Sequence, residues 1–333
     1  MKNTNALWLQ CGACGGCSMS MLGVEGQSLP DVFKDAGITF LWHPVFSELS
    51  GPAVIDILDD ILAGQTPLDL LIVEGTPLLG PNGTGRFQMM SGSDKPMMQW
   101  LIELAEHAKY TVGVGSCATY GGIPLAGDDL LEGTGLQYHN NQIGGLLGSE
   151  YISRTNFPVI NIPGCAPHPD WIVETLCLLA QDHIQPKDLD PEGRPLAYFG
   201  HLAHHGCPRN EYYEFKASAA KESDQGCLME NFGCKGTQAL GDCNIRSWNG
   251  AGSCLQGSYS CIACTMPGFE DTGAPFLETA KIAGIPVGLP SDMPKAWFVA
   301  LAALSKSATP ERVRENAHQS QIVHQPTRKK AKN

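Results

Sequence analysis

Four short apolar runs in the first half of the chain, ALWLQ (6–10), LDLLIVEG (68–75), TVGVGSC (111–117) and FPVINIPGC (157–165), are separated by segments with helical patterning: AVIDILDDILAG (53–64), MMQWLIELAEHA (97–108) and DWIVETLCLLAQ (170–181). Apolar runs of this length that do not alternate with polar residues describe strands buried on both faces, and helices between them are the crossovers that parallel pairing requires. The expectation is an α/β fold built on a doubly wound parallel sheet. In such a sheet functional groups collect outside the carboxyl ends of the strands, at the crevice where the strand order reverses. Three of the four runs end in cysteine: Cys11, Cys14 and Cys17 in CGACGGC, Cys117, and Cys165, while the remaining run ends in Glu74-Gly75. The topology therefore brings thiols from distant loops to one edge of the sheet.

That convergence bears on the chemistry of CGACGGC. A thioredoxin-type redox pair needs no cysteines on neighbouring loops, and a structural zinc site is more often built from two local Cys-x-x-Cys pairs. Four thiolates, with glycines that let backbone approach inorganic sulfide, fit a 4Fe–4S cluster best; zinc, a redox pair and plain packing are the competing readings. The chain holds thirteen cysteines. In a reducing compartment such a count points to metal ligands rather than disulfides.

Composition excludes several classes. With 43% hydrophobic and 17% charged residues the chain is globular, and a formal charge of −12 argues against nucleic-acid partners, which need clustered Lys and Arg. AWFVALAAL (296–304) is about half the ~20 residues a membrane span needs and reads as a buried helix face, so no membrane span is expected. Met1 leads almost directly into the first strand-like run, with no signal-peptide pattern, and the expected location is cytoplasmic. After QPKDLDPEGRP (185–195) the parallel pattern fades and cysteine density rises. Two domains are expected: 1–184, flavodoxin-like, and 185–333, loop-rich, cluster-binding and ending in a polar tail, RKKAKN (328–333). Candidate ligands in the second are His204, Cys207, Cys227, Cys234, Cys243, Cys254, Cys261 and Cys264. Three Cys with one His suffice for one cluster and four Cys for another. With the first-half site this makes three clusters, an electron-transfer chain whose metals would supply much of the second half's folding energy.

In order along the chain, WLQ…CGGCS, VEGTP, GSCATYGGIP, NIPGCAPHPDW, H-x-x-C-P-R, GCKG and CIACTMP resemble the small subunit of nickel–iron hydrogenases, over about residues 6 to 270. The resemblance implies an electron-transfer subunit of a hydrogenase that makes an obligate heterodimer, or a dimer of heterodimers, with a large subunit that holds the nickel–iron centre. It implies a proximal 4Fe–4S cluster on Cys14, Cys17, Cys117 and Cys165. It also implies a distal 4Fe–4S cluster on His204, Cys207, Cys227 and Cys234. It implies a medial set of Cys243, Cys254, Cys261 and Cys264. Many relatives have proline where Cys254 stands and hold 3Fe–4S; a fourth thiolate implies 4Fe–4S, or 3Fe–4S if Cys254 is a free thiol. Glu74 faces the same crevice and is a candidate either to tune the proximal cluster or to hydrogen-bond at the subunit interface. No residue of this chain is expected to be catalytic.

The chain departs from relatives at several points. Gly16 and Gly122 stand where some oxygen-tolerant members carry extra proximal cysteines, Met19 where many carry an acid, and the interval from Cys227 to Cys234 is one residue longer than usual. Cys11 is surplus to the proximal site and Cys177 reads as core. GPNGTGRF (80–87) lacks the Gly-Lys-Ser/Thr ending of a phosphate loop, and His201 and His205 lack the spacing of His204. As to subclass, the resemblance favours the cytoplasmic H2-sensing group that signals to a histidine kinase, over a soluble uptake enzyme feeding a redox carrier. The remaining competitors are the cluster-bearing component of NADH:quinone oxidoreductases, which lacks the ligands of residues 204–264, and a stand-alone binding or structural iron–sulfur protein.

Overall fold

The computed structural model describes residues 3–127, 130–274 and 276–326, so RKKAKN lies outside it. The chain divides into two compact units, Met1–Gly200 with Cys264–Thr272, and His201–Ala263 with Gly273–Asn333. The first unit extends past residue 184 because Tyr198 and Phe199 pack on Trp171.

Strand β1 (Thr4–Gln10) is followed by helices α1 (Gly16–Met21) and α2 (Leu29–Ala36), strand β2 (Ile38–Trp42), α3 (Pro52–Leu62), β3 (Leu68–Glu74), α4 (Met97–His107), β4 (Ala108–Val114) and α5 (Ser116–Tyr120). A two-residue ladder, β5 (Tyr138–His139) with β6 (Gln142–Ile143), precedes β7 (Ile160–Ile162), α6 (Pro169–Ala180) and the short α7 (Leu196–Phe199). The main sheet is all parallel, in the order β2-β1-β3-β4-β7. Counting its five strands along the chain, that is the doubly wound order 2-1-3-4-5, with the switch point between β1 and β3. β1 and β3 are buried almost throughout. Leu7, Leu9, Leu71 and Val73 share a core with Val54 and Leu58 of α3 and Leu101 and Leu104 of α4. Each such side chain contributes about 1.5 to 3 kcal/mol by leaving water.

β2 is the strand of the main sheet that the sequence pattern does not reveal. It lies at the sheet edge and only Ile38 of its five residues is buried, so ITFLW lacks the signature of a two-face strand.

The second unit is built differently. Its helices are short, α8 (Asn210–Glu214) and α10 (Glu311–Asn316), apart from α9 (Lys295–Ser307). Its apolar residues form small separate clusters: Tyr212 with Val313 and Ala317, Tyr213 with Met229 and Phe298, Ala219 with Leu228 and Leu255. The segment 296–304 is not the buried helix face expected from its sequence. The segment is helical, but of its large side chains Phe298 alone is buried, while Trp297, Val299, Leu301 and Leu304 are exposed. Among the described residues no helix is long and apolar enough to cross a membrane.

Candidate electron-transfer centres

The loops at the carboxyl ends of β1, β4 and β7 carry Cys14 and Cys17, Cys117, and Cys165. Cys17 is buried in the first turn of α1, Cys117 is half-buried in α5, and Cys14 and Cys165 are exposed. Burial pushes the Cys17 thiol well up, and the negative charges of Glu74, Cys117, Cys14 and Cys165 push it further. All three other expected proximal thiols thus lie within electrostatic reach of Cys17. Burial likewise holds Cys117 up at about 11 and raises Cys165. Thiolates crowded in this way are unfavourable unless cations stand among them, and a cluster's irons supply those cations. Gly115 (φ 89°) fits the same reading: a Cβ there would lie 2.6 Å from the Cys17 sulfur. Side chains at the two expected departure sites would also meet cysteine sulfurs, Gly16 at 3.1 Å from Cys14 and Gly122 (φ 56°) at 2.8 Å from Cys117.

Glu74 is buried at the end of β3 with both oxygens occupied. Oε1 accepts from the backbone N–H groups of Cys17 (3.0 Å) and Ser18 (3.3 Å); Oε2 accepts from Trp8 Nε1 (3.1 Å), Gln10 Nε2 (3.0 Å) and Ser18 Oγ (2.6 Å). The carboxylate therefore ties the cysteine loop after β1 to the end of β3. Trp8, Gln10 and Ser18 form its cage, and only their neighbourhood to CGGCS in the sequence points to them. His43 packs at 4.9 Å from Trp8, fully buried, and burial lowers its pKa to about 4.

In the second unit His204, Cys207, Cys227 and Cys234 line one small internal cavity. Burial drives Cys207 to about 11 and Cys227 to about 12, and raises Cys234. It lowers His204 to about 4, so the imidazole is neutral, the form that ligates metal. His204 packs edge-on to Tyr213 at 4.1 Å, whereas His205 is exposed and pairs with Asp292 at 3.0 Å. Arg209 is the residue whose role the sequence does not disclose. Its buried guanidinium donates to the carbonyls of Asp224 (2.5 Å), Gly226 (2.7 Å) and Leu255 (3.2 Å) and to Ser258 Oγ (3.0 Å). Its backbone N–H donates to the Cys207 sulfur at 3.3 Å. One fixed cation thus joins three loops beside the thiols of Cys207, Cys227 and Cys234, whose charges it feels.

Of the expected medial set, Cys243, Cys254 and Cys261 belong to the second unit, with Cys254 exposed and near enough to Cys234 to raise its pKa. Cys264 opens the segment counted with the first unit, where its carbonyl accepts from Ser116 Oγ. Among the described residues no three Cys, His, Asp or Glu side chains are arranged to hold a single metal ion. A cubane spreads its ligands over a wider tetrahedron than one ion does. Cys11 lies in the core cluster of the first sheet face and Cys177 is half-buried on α6. In GPNGTGRF the backbone N–H groups of Asn82 (2.6 Å) and Gly83 (2.8 Å) donate to the Glu132 carboxylate, which occupies donors a phosphate would need.

Residues 14–179 match the family model described as NADH ubiquinone oxidoreductase, 20 Kd subunit, and residues 199–277 match the model for the C-terminal part of the NiFe/NiFeSe hydrogenase small subunit. The chain is 32% identical to the F420 non-reducing hydrogenase II small subunit of Methanosarcina mazei, over 91% of this chain and 82% of that one. It is 30% identical to the periplasmic NiFeSe hydrogenase small subunit of Desulfomicrobium baculatum, over 83% and 87%. Among solved structures, the actinobacterial-type NiFe hydrogenase of Ralstonia eutropha H16 superposes with a TM-score of 0.75 at 28% identity, covering 94% of this chain and 93% of that one. The reduced, active Ni–Fe–Se hydrogenase of Desulfomicrobium baculatum gives 0.70 at 28%, covering 83% and 99%. The first-half model alone is that of the quinone-oxidoreductase protein; the second half and the full-length relatives are of hydrogenases. The chain belongs to the nickel–iron hydrogenase small-subunit family, the iron–sulfur electron-transfer component of an oxidoreductase in which it pairs with a nickel–iron large subunit.

Proposed function

We propose that this chain relays electrons from H2 oxidation on the large subunit through three clusters: a proximal one on Cys14, Cys17, Cys117 and Cys165, a medial one on Cys243, Cys254, Cys261 and Cys264, and a distal one on His204, Cys207, Cys227 and Cys234. The observation that carries the reading is the single cavity lined by all four expected distal residues. When bound, the clusters would supply one-electron redox centres. The chain's own residues fix the ligands and set the local charge. Glu74 anchors the Cys17 loop and adds negative charge at the proximal set. Arg209 adds positive charge at the distal set, and a neutral imidazole in place of a thiolate lowers the negative charge further. Both favour electron arrival at the distal end. The medial set rests on the resemblance, in which Cys254 stands where many relatives carry proline, and is read as 4Fe–4S.

The finer fold reading, a flavodoxin-like domain followed by a loop-rich cluster-binding one, is supported by the 2-1-3-4-5 strand order and by the short elements of the second unit. Cytoplasmic H2 sensing through a histidine kinase is the subclass reading. A diffusible redox carrier is the second reading, favoured by an apolar cavity at Cys227. The test is iron content and spectroscopy of variants in the intact complex. His204→Ala is expected to lose the distal signal, while His205→Ala keeps it; the reverse pattern overturns the ligand set.

A further inference from the structure

Beside the distal set the second unit holds a cavity of about 280 Å³ that electron relay within the chain leaves without a role. Its walls are mostly apolar, with Met229, Ile285, Phe298 and Val299 and the methyl groups of Ala302 and Ala303. Cys227 lines this cavity and also the one shared with His204, Cys207 and Cys234. An occupant would therefore contact a residue that the distal cluster reading uses as ligand.

The polar groups in the wall define what the occupant is. Lys306 is neutralised by Glu230 at 3.2 Å, and Glu230 also accepts from Ser218. Lys216 is held differently: its ammonium sits 3.7 Å from the centroid of Tyr213 and 4.6 Å from that of Phe298. Glu214 acts on it only through space, and burial lowers its pKa. Rings rather than a carboxylate thus hold a half-buried cation on an apolar wall. That combination recognises a flat aromatic body bearing an anionic group. The volume lies just below the usual range for small-molecule sites, roughly 300 to 1,000 Å³, which suits about two fused rings.

We propose that this cavity binds a planar aromatic anion of the quinone class and is where electrons leave the chain for a small diffusible acceptor. The proposal rests on the electron-relay reading, with a diffusible redox carrier as the acceptor. H2 oxidation on the large subunit yields two protons and two electrons. The quinone accepts two electrons, one at a time, and two protons from solvent to become the quinol, so the balance closes without a further reactant.

The test uses the intact complex with its large subunit, kept anaerobic and oxidised, titrated calorimetrically with 1,4-naphthoquinone-2-sulfonate. One saturable site per chain is expected, weakened tenfold or more by Lys216→Met, which removes the charge and keeps the stem, and by Ala303→Trp, which fills the space. Each variant is first shown to retain the unaltered iron content. Absence of saturable binding, or binding that either variant leaves unchanged, overturns the proposal. H2-dependent reduction of benzyl viologen by the unaltered complex separates the two claims. Its absence overturns the electron-relay reading, whereas its presence alongside indifferent naphthoquinone binding overturns the cavity alone.

Discussion

Replacing Glu74 with glutamine preserves the shape of the side chain and exchanges one carboxylate oxygen for an amide NH2. The five donors around Glu74 divide into two backbone N–H groups on Oε1 and three side-chain donors on Oε2. The best glutamine orientation keeps its oxygen toward Cys17 and Ser18. The NH2 then faces Ser18 Oγ and Gln10, both of which can rotate to accept, but the Trp8 indole can only donate and is left unpaired. A buried donor without a partner costs about 1 to 3 kcal/mol, and the surviving bonds lose their charge assistance. The expected loss is thus about 2 kcal/mol or more. For a unit of this size that lowers the melting temperature by about 4 to 8 °C. The assay is a thermal melt of the intact complex followed by circular dichroism, with Glu48→Gln at an exposed position as control. A Glu74→Gln complex that melts within a degree of the unaltered one refutes the cage argument, since no donor would then have been stranded.

Other outcomes follow from the same geometry. Gly115→Ala combines a left-handed φ with a Cβ 2.6 Å from the Cys17 sulfur, and is expected to remove about four irons per chain, read by metal analysis. Arg209→Met strands the carbonyls of Asp224, Gly226 and Leu255, and is expected to abolish the distal signal in electron paramagnetic resonance. His43 is buried and neutral with a pKa near 4, below its unfolded value, so the unfolded chain binds the extra proton first and stability falls as pH drops from about 6.5 toward 4. His43→Phe is expected to flatten that slope in pH-dependent melts. Cys254→Pro is expected to create a 3Fe–4S signal in the oxidised complex; an unchanged spectrum contradicts a four-iron medial cluster.

The parallel sheet is legible in the sequence because β1, β3, β4 and β7 are buried on both faces and so read as unbroken apolar runs. β2 is not, because an edge strand needs no such run. The α9 face misleads because apolar content reveals a helix but not what covers it, and Trp297, Leu301 and Leu304 are left exposed. The candidate ligands are legible because ligand chemistry restricts residue type, so Cys and His mark positions by themselves. Arg209 is hidden because its partners are main-chain carbonyls, which every sequence possesses, delivered by loops far apart in the chain. Glu74 lies between these cases: its strand end places it at the crevice, but its five donors emerge only when β1, α1 and β3 are assembled.

Native mass spectrometry of the anaerobically isolated complex, dissociated to release this chain intact, weighs the clusters of the three-cluster relay together. Three 4Fe–4S clusters give a mass excess over the polypeptide of about twelve irons and twelve sulfides. A chain carrying a single cluster, or zinc in place of iron and sulfide, contradicts it.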